Sequence, residues 1–187
     1  MPMVTVIKTF SVGRLVRASR RSGMKMNMLM CWCIGRAASG IPEFYTVPID
    51  GKLMTFDNLA LNIIVRTKDG GIKFCDVPFS DDIRQFNADY LRITNRTRET
   101  GQMYSLADDY ALIGTSALTH LEVDGIVNQY SGSFNNPFLV WGRYRRGFFS
   151  KRLPISMQFH HVQMDGKEVG MFLNNLQEEF NGIAKKI

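Results

Sequence analysis

Between Met26 and Ser39 the chain is apolar on nearly every side rather than along one stripe. A helix of that kind has no face to offer water and must be enclosed by other elements. Gly40 and Pro42 then end it. With 187 residues, 45% of them hydrophobic, the chain can build that enclosure in one domain. A charged fraction of 21% is ordinary, which sets aside disordered, collagen-like and coiled-coil chains. No internal repeat, low-complexity tract or Pro/Gly-rich linker interrupts it, so residues 1–187 read as a single domain.

The methionines and cysteines of this run read as packing material rather than as a ligand set. Cys31, Cys33 and Cys75 are an odd number, and the CxC pair lies in an apolar stretch. That pattern argues against a disulfide framework and for a reducing compartment, and without a second His/Cys pair it makes a poor metal site. The longest apolar run, Met28 to Ile34, is far shorter than the ~18–20 residues that cross a bilayer. No apolar leader opens the chain, and the reading is a soluble cytoplasmic protein without a membrane partner.

The net charge of +6 is unevenly placed. Before Glu43 there is no acid, while Lys8, Arg14, Arg17, Arg20, Arg21, Lys25 and Arg36 fall in that stretch. Such a patch can meet phosphates or be balanced by neighbours in three dimensions. Few aromatics are interleaved with it, so stacking on single-stranded nucleic acid is not expected.

Local pattern supplies the elements. Val4 to Phe10 reads as a strand and Arg14 to Arg21 as a short helix. Asp50-Gly51 joins Val47–Ile49 to Lys52–Phe56 in a hairpin. Asp69-Gly70-Gly71 turns between Asn62–Thr67 and Ile72–Cys75. Ser80 is expected to cap a helix with Asp81 and Asp82 in its first turn. Strand-like runs follow at Ala111–Leu118, Gly125–Gln129, Pro137–Trp141 and Leu153–His161, and a helix closes the chain. Hairpins mixed with longer crossovers predict an α/β fold, a mixed β-sheet with helices layered against it.

Chemistry concentrates in Leu153-Pro-Ile-Ser-Met-Gln-Phe-His-His161 and the following Val-Gln-Met-Asp165-Gly166. Alternation puts Leu153, Ile155, Met157, Phe159 and His161 on one apolar face. Desolvation there would keep the His161 ring neutral, as a general base requires. Asp165 precedes an amphipathic helix carrying Val169, Phe172, Leu173, Leu176 and Phe180. It can cap that helix, orient His161 or hold the turn through a cation, and spacing alone leaves these roles open.

The string His160-His161-Val-Gln-Met-Asp165-Gly166 is the HHxxxDG motif, and its context resembles the chloramphenicol acetyltransferase family. Peptide-synthetase condensation domains and dihydrolipoyl acyltransferases share the motif. Four further stretches match the first family in order: Ser22-Gly-Met-Lys25 with Ile41-Pro-Glu43-Phe44, Val77–Ile83 with Phe86 and Tyr90, Ser116-Ala117-Leu118, and Pro137–Tyr144. The resemblance implies a two-layer sandwich with helices on one face of a mixed sheet. It also implies a homotrimer with active sites at subunit interfaces, where an acetyl group passes directly from acetyl-CoA to the hydroxyl of chloramphenicol or a related alcohol. By resemblance His161 is the general base and Ser116 stabilises the oxyanion. Asp165 fixes the site through an ion pair, and Lys25, Arg143 and Tyr144 lie toward the CoA. No metal is implied.

Three departures accompany the resemblance. The matched region starts at about Val4, without the family's preceding segment, so the arginine partner of the motif aspartate has no counterpart and Asp165 needs another cation or solvent. A family tryptophan is His120 here, and a water-ordering hydroxyl residue is Val140. The alternative is a non-catalytic trimeric relative that binds CoA or a small ligand. A Ser/His/Asp hydrolase finds no support, because Gly114-Thr-Ser116-Ala-Leu118 lacks the second glycine of a nucleophile elbow.

Overall fold

The computed structural model describes residues 3–129, 134–147 and 150–187. The chain-long element order is β1 (Met3–Ser11), α1 (Gly13–Ser22), α2 (Met26–Ser39), β2 (Thr46–Ile49), β3 (Lys52–Thr55), β4 (Asn58–Arg66), β5 (Ile72–Pro78), α3 (Ile83–Thr100), β6 (Tyr110–Ala117), β7 (Phe138–Trp141), β8 (Arg145–Arg146), β9 (Lys151–His160) and α4 (Gly166–Gly182). A seven-stranded sheet runs β1-β9-β7-β6-β4-β5, with β8 paired to β9, while β2 and β3 form a separate hairpin. Pairings β4–β6 and β6–β7 are parallel, and those of β1, β5 and β7 with their other neighbours are antiparallel. The fold is the expected α/β arrangement.

The enclosed helix is where its composition requires. Ten residues of α2, from Met28 to Ala38, are buried. They share one core with Leu61 and Ile63 of β4, Ala111 and Ile113 of β6, and Leu153, Ile155, Met157 and Phe159 of β9. Helix α4 closes the other side, with Phe172 against Phe44 at 4.8 Å and Phe180 edge-on to Phe10 at 5.6 Å. Asp50 (φ 48°) and Gly51 (φ 74°) both take left-handed backbone, as a two-residue hairpin demands.

Three expectations need correction. Helix α3 begins at Ile83, and its cap is Asp82, whose carboxylate accepts the Arg84 N–H at 2.8 Å. Ser80 instead holds the preceding turn by accepting the Asp82 N–H. Gly125–Gln129 is not a strand. It crosses the sheet's outer face, and its backbone bonds to side chains of β9: the Ile126 N–H to Ser156 Oγ (2.8 Å), and Gln158 Nε2 to the Asn128 carbonyl (2.9 Å). A segment lying over a face, not beside an edge, has no ladder to join. Strand β9 stops at His160, one residue before the expected end, and residues 161–163 turn away.

The basic N-terminal stretch is partly balanced inside the fold. Arg36 pairs with Asp81 (2.7 Å) and lies 3.7 Å from Glu179, Lys8 donates to Asn174, and Arg14 to the Asn181 carbonyl.

Candidate functional site

Residue alternation divides each strand between two environments. Thr115 points toward the helices, where its hydroxyl donates to the Asn62 carbonyl (2.9 Å) and lies 3.9 Å from Cys31 Sγ. Ser116 therefore points to the opposite, outer face. It lines a cavity of about 560 Å³ around the end of β6, whose walls include Ile64, Ile72, Leu118 and Leu121, with Arg66 and His120 among the polar lining groups. A second cavity of about 250 Å³ is lined by Met26, Trp141, Arg143 and Tyr144. Asn27 and Thr119 line both.

Two of the three expected CoA-side residues thus gather next to Ser116. Arg143 is also paired to Glu122 at 3.4 Å, and its N–H donates to the Leu121 carbonyl at 2.5 Å. Gly142 is needed at that crossing, because a Cβ there would come within 2.5 Å of the same carbonyl oxygen. Lys25 stands exposed one residue before Met26, outside the lining of either cavity. Val140 is buried in β7 beside Ser116, and His120 is exposed.

The motif histidines lie elsewhere. Ser116 faces Val140, and Val140 faces Ser156, so Ser116 stands two strands from Ser156 on one rung of the sheet. His161 follows Ser156 by five positions, which places it roughly 17 Å along the strand and roughly 10 Å across the sheet from Ser116. Within one chain the two side chains do not meet.

The expected desolvation falls on the other histidine. His161 is exposed, whereas His160 is buried beside Ser156 and Gln158 on the outer face. Burial, with His161 adjacent, pushes the His160 ring below the ordinary histidine value. His160 Nδ1 accepts the Val162 N–H (3.2 Å), and its carbonyl accepts the Gln163 and Met164 N–H groups, so it anchors the turn that carries His161. His161 Nδ1 lies 3.5 Å from the Met164 carbonyl oxygen. A proton on Nδ1 would make that contact a hydrogen bond and leave Nε2 facing away from it.

Asp165 resolves its three open roles in favour of the cap. Its carboxylate accepts the Lys167 N–H (2.8 Å), and Glu168 accepts the Asp165 N–H (3.1 Å), a reciprocal capping box at the start of α4. The Lys167 amide, above all, holds this exposed carboxyl below the usual carboxylate range. The partial positive charge facing Asp165 within this chain is the N-terminus of the helix it caps.

One residue of this site escapes motif reasoning. Asn27 donates from Nδ2 to Tyr90 Oη (3.1 Å), while its Oδ1 is buried with no hydrogen-bond partner among the described residues. The available signal was an amide in a helix otherwise apolar from Met26 to Ile34. The three cysteines are free and buried, and burial pushes the Cys31 thiol up to about 12, the behaviour of packing rather than of a nucleophile.

A family model described as chloramphenicol acetyltransferase matches residues 4–177. The chain belongs to the chloramphenicol acetyltransferase family. Chloramphenicol acetyltransferase 3 of Escherichia coli is 25% identical over 177 residues, covering 88% of this chain and 79% of that protein. A solved chloramphenicol acetyltransferase superposes with a TM-score of 0.78 at 20% identity, over 96% of this chain and 88% of the other. A probable dihydrolipoamide acetyltransferase from Listeria monocytogenes gives 0.77 at 12% identity, over 100% and 87%. These two structures share the fold with this member of the family.

Proposed function

We propose that the protein is an acetyl-CoA-dependent O-acetyltransferase acting on a small hydroxyl compound, assembled as a homotrimer whose sites lie between subunits. The observation that carries this reading is the separation of Ser116 from His161. Two groups that belong to one reaction by family motif, yet stand at opposite ends of one sheet, serve a common substrate when they come from different copies of the chain. The exposed imidazole fits the same reading, since a partner's surface is what would desolvate it.

Acetyl-CoA supplies an acyl group activated as a thioester. Nε2 of His161 takes the proton of the acceptor hydroxyl as its oxygen bonds to the acetyl carbon. Ser116 of the neighbouring subunit donates its hydroxyl hydrogen bond to the carbonyl oxygen as negative charge develops there. As the C–S bond breaks, His161 returns its proton to the thiolate, leaving an ester and CoA. Arg143 and Tyr144 border the donor's side, with Lys25 nearby. The walls around Ser116 favour an acceptor with a substantial apolar body, and chloramphenicol is one candidate within that class. His120 and Arg66 on the same lining would make its pocket more polar at one end.

Subunit complementation tests this reading. Ser116→Ala and His161→Ala chains are each expected to be inactive in CoA release across a panel of alcohols. Co-expressed in equal amounts, random mixing should restore about a quarter of the wild-type sites. Two inactive variants that stay inactive together would sink the shared site. Wild-type trimers that bind CoA and release none with any acceptor would favour the non-catalytic alternative.

A further inference from the structure

The cavity around Ser116 is bordered by a cation that the fold does not employ. Arg66 closes β4, and Ser116 lies one residue before the end of β6, its parallel neighbour, so both strands deliver their carboxyl ends to this cavity. Ile63 pairs with Thr115, which makes Ile64 and Ser116 the next residues along the two strands. Arg66 therefore stands roughly 7 Å further along and roughly 5 Å across from Ser116. Its cross-strand partner on β5 is Ile72, which offers the guanidinium nothing. Among the described residues Arg66 joins none of the ion pairs, whereas Arg143 and Arg145 at the neighbouring cavities each meet a carboxylate.

The rest of the lining is of another kind. Ile64, Ile72, Leu118 and Leu121 border the cavity and are exposed, and no aspartate or glutamate lines it. At about 560 Å³ it has room for a drug-sized molecule. Exposed apolar walls gain by drawing an apolar body out of water. A guanidinium is permanently charged, and its fork of N–H donors matches the two oxygens of a carboxylate. One permanent positive charge on the lining suits a single carboxylate better than a doubly charged phosphate.

We infer that the acceptor alcohol is an apolar molecule carrying a carboxylate away from its reacting hydroxyl, and that Arg66 binds that carboxylate. The inference rests on the acetyl-CoA reading above and narrows its substrate class. With the hydroxyl beside Ser116 and the carboxylate on Arg66, the apolar body lies along the isoleucine and leucine walls. The transfer itself is unchanged: the hydroxyl gives its proton to His161, its oxygen bonds to the acetyl carbon, and CoA leaves as the thiol. The carboxylate takes no part in bond making.

The test compares ω-hydroxydecanoate with its methyl ester, which keeps the hydroxyl and the apolar body without the charge. The kcat/KM for CoA release is measured with both acceptors for wild-type protein, Arg66→Lys, Arg66→Gln and Arg66→Glu. Wild type should favour the acid by about tenfold or more, chiefly through KM, because the contact is made before and during transfer alike. Arg66→Lys should keep part of that preference, Arg66→Gln should bring the ratio near one, and Arg66→Glu should favour the ester. Each ratio comes from a single preparation, so a loss of folded enzyme does not move it, and calorimetric binding of the two compounds supplies the ratio for a variant without turnover. A ratio near one in wild type, or the wild-type ratio retained in Arg66→Gln, overturns the inference and leaves the transferase reading standing. Wild type that acetylates other alcohols but neither of this pair also overturns it. Absence of CoA release with every alcohol of a broad panel defeats the acetyl-CoA reading itself, and the carboxylate inference falls with it.

Discussion

His160 and His161 are neighbours with opposite fates, and the difference is one of solvent. His160 is the last residue of β9, buried and accepting the Val162 amide at Nδ1. Protonating it removes that acceptor. Because its folded value is depressed by burial, its stabilising contribution is present above the ordinary histidine value of 6.5. The contribution is lost as pH falls through the lower folded value. Wild-type protein should therefore melt at progressively lower temperature as pH falls below that ordinary value, and His160→Gln should flatten this part of the profile. A thermal-unfolding series over that range, showing the same slope in both proteins, would remove His160 as the source. The motif places both histidines, but which of the two is shielded depends on where the strand ends, and alternation alone predicted the opposite.

At the level of elements, α4 is tied to the site by its first turn. The capping box at Asp165 fixes where the helix begins, and residues 161–164 are the short link between that point and β9. An asparagine at position 165 can still accept the Lys167 amide, whereas an alanine cannot. Asp165→Asn should therefore keep both the fold and catalytic turnover close to wild type, while Asp165→Ala should lower the melting temperature by several degrees and reduce turnover with it. If Asp165→Asn were as damaging as Asp165→Ala, the carboxylate's charge, acting through an ion pair, would be its main contribution. The cap was legible in the sequence as one of three roles, because Asp followed by Glu three residues later is a local signal. The segment at 125–129 was not legible. Its partners, Ser156 and Gln158, lie 30 positions away, and only the packed sheet shows that it runs over a face.

For the whole molecule, two apolar side chains outside the core are strongly exposed. Val162, beside the proposed base, is 65% exposed, and Val127 on the crossing segment is 73% exposed. The exposed Val162 on the turn that presents His161 suits a surface that a second copy covers in the proposed trimer. Val162→Glu should leave the monomer fold intact by circular dichroism while shifting sedimentation from a three-chain species to a single chain and abolishing turnover. A variant that remains a fully active trimer would place this turn outside any subunit boundary.

The amino-acid sequence alone determined the enclosed helix, the hairpins, most strand positions, the family and the identity of the motif residues. Each of these is written in local period, turn chemistry or a contiguous string. Tertiary structure decided which histidine is dry, that Asp165 is satisfied by a helix start, and that Ser116 and His161 stand apart in one chain. These follow from strand register and from one segment crossing another, contacts between residues far apart in the chain, which no local pattern encodes.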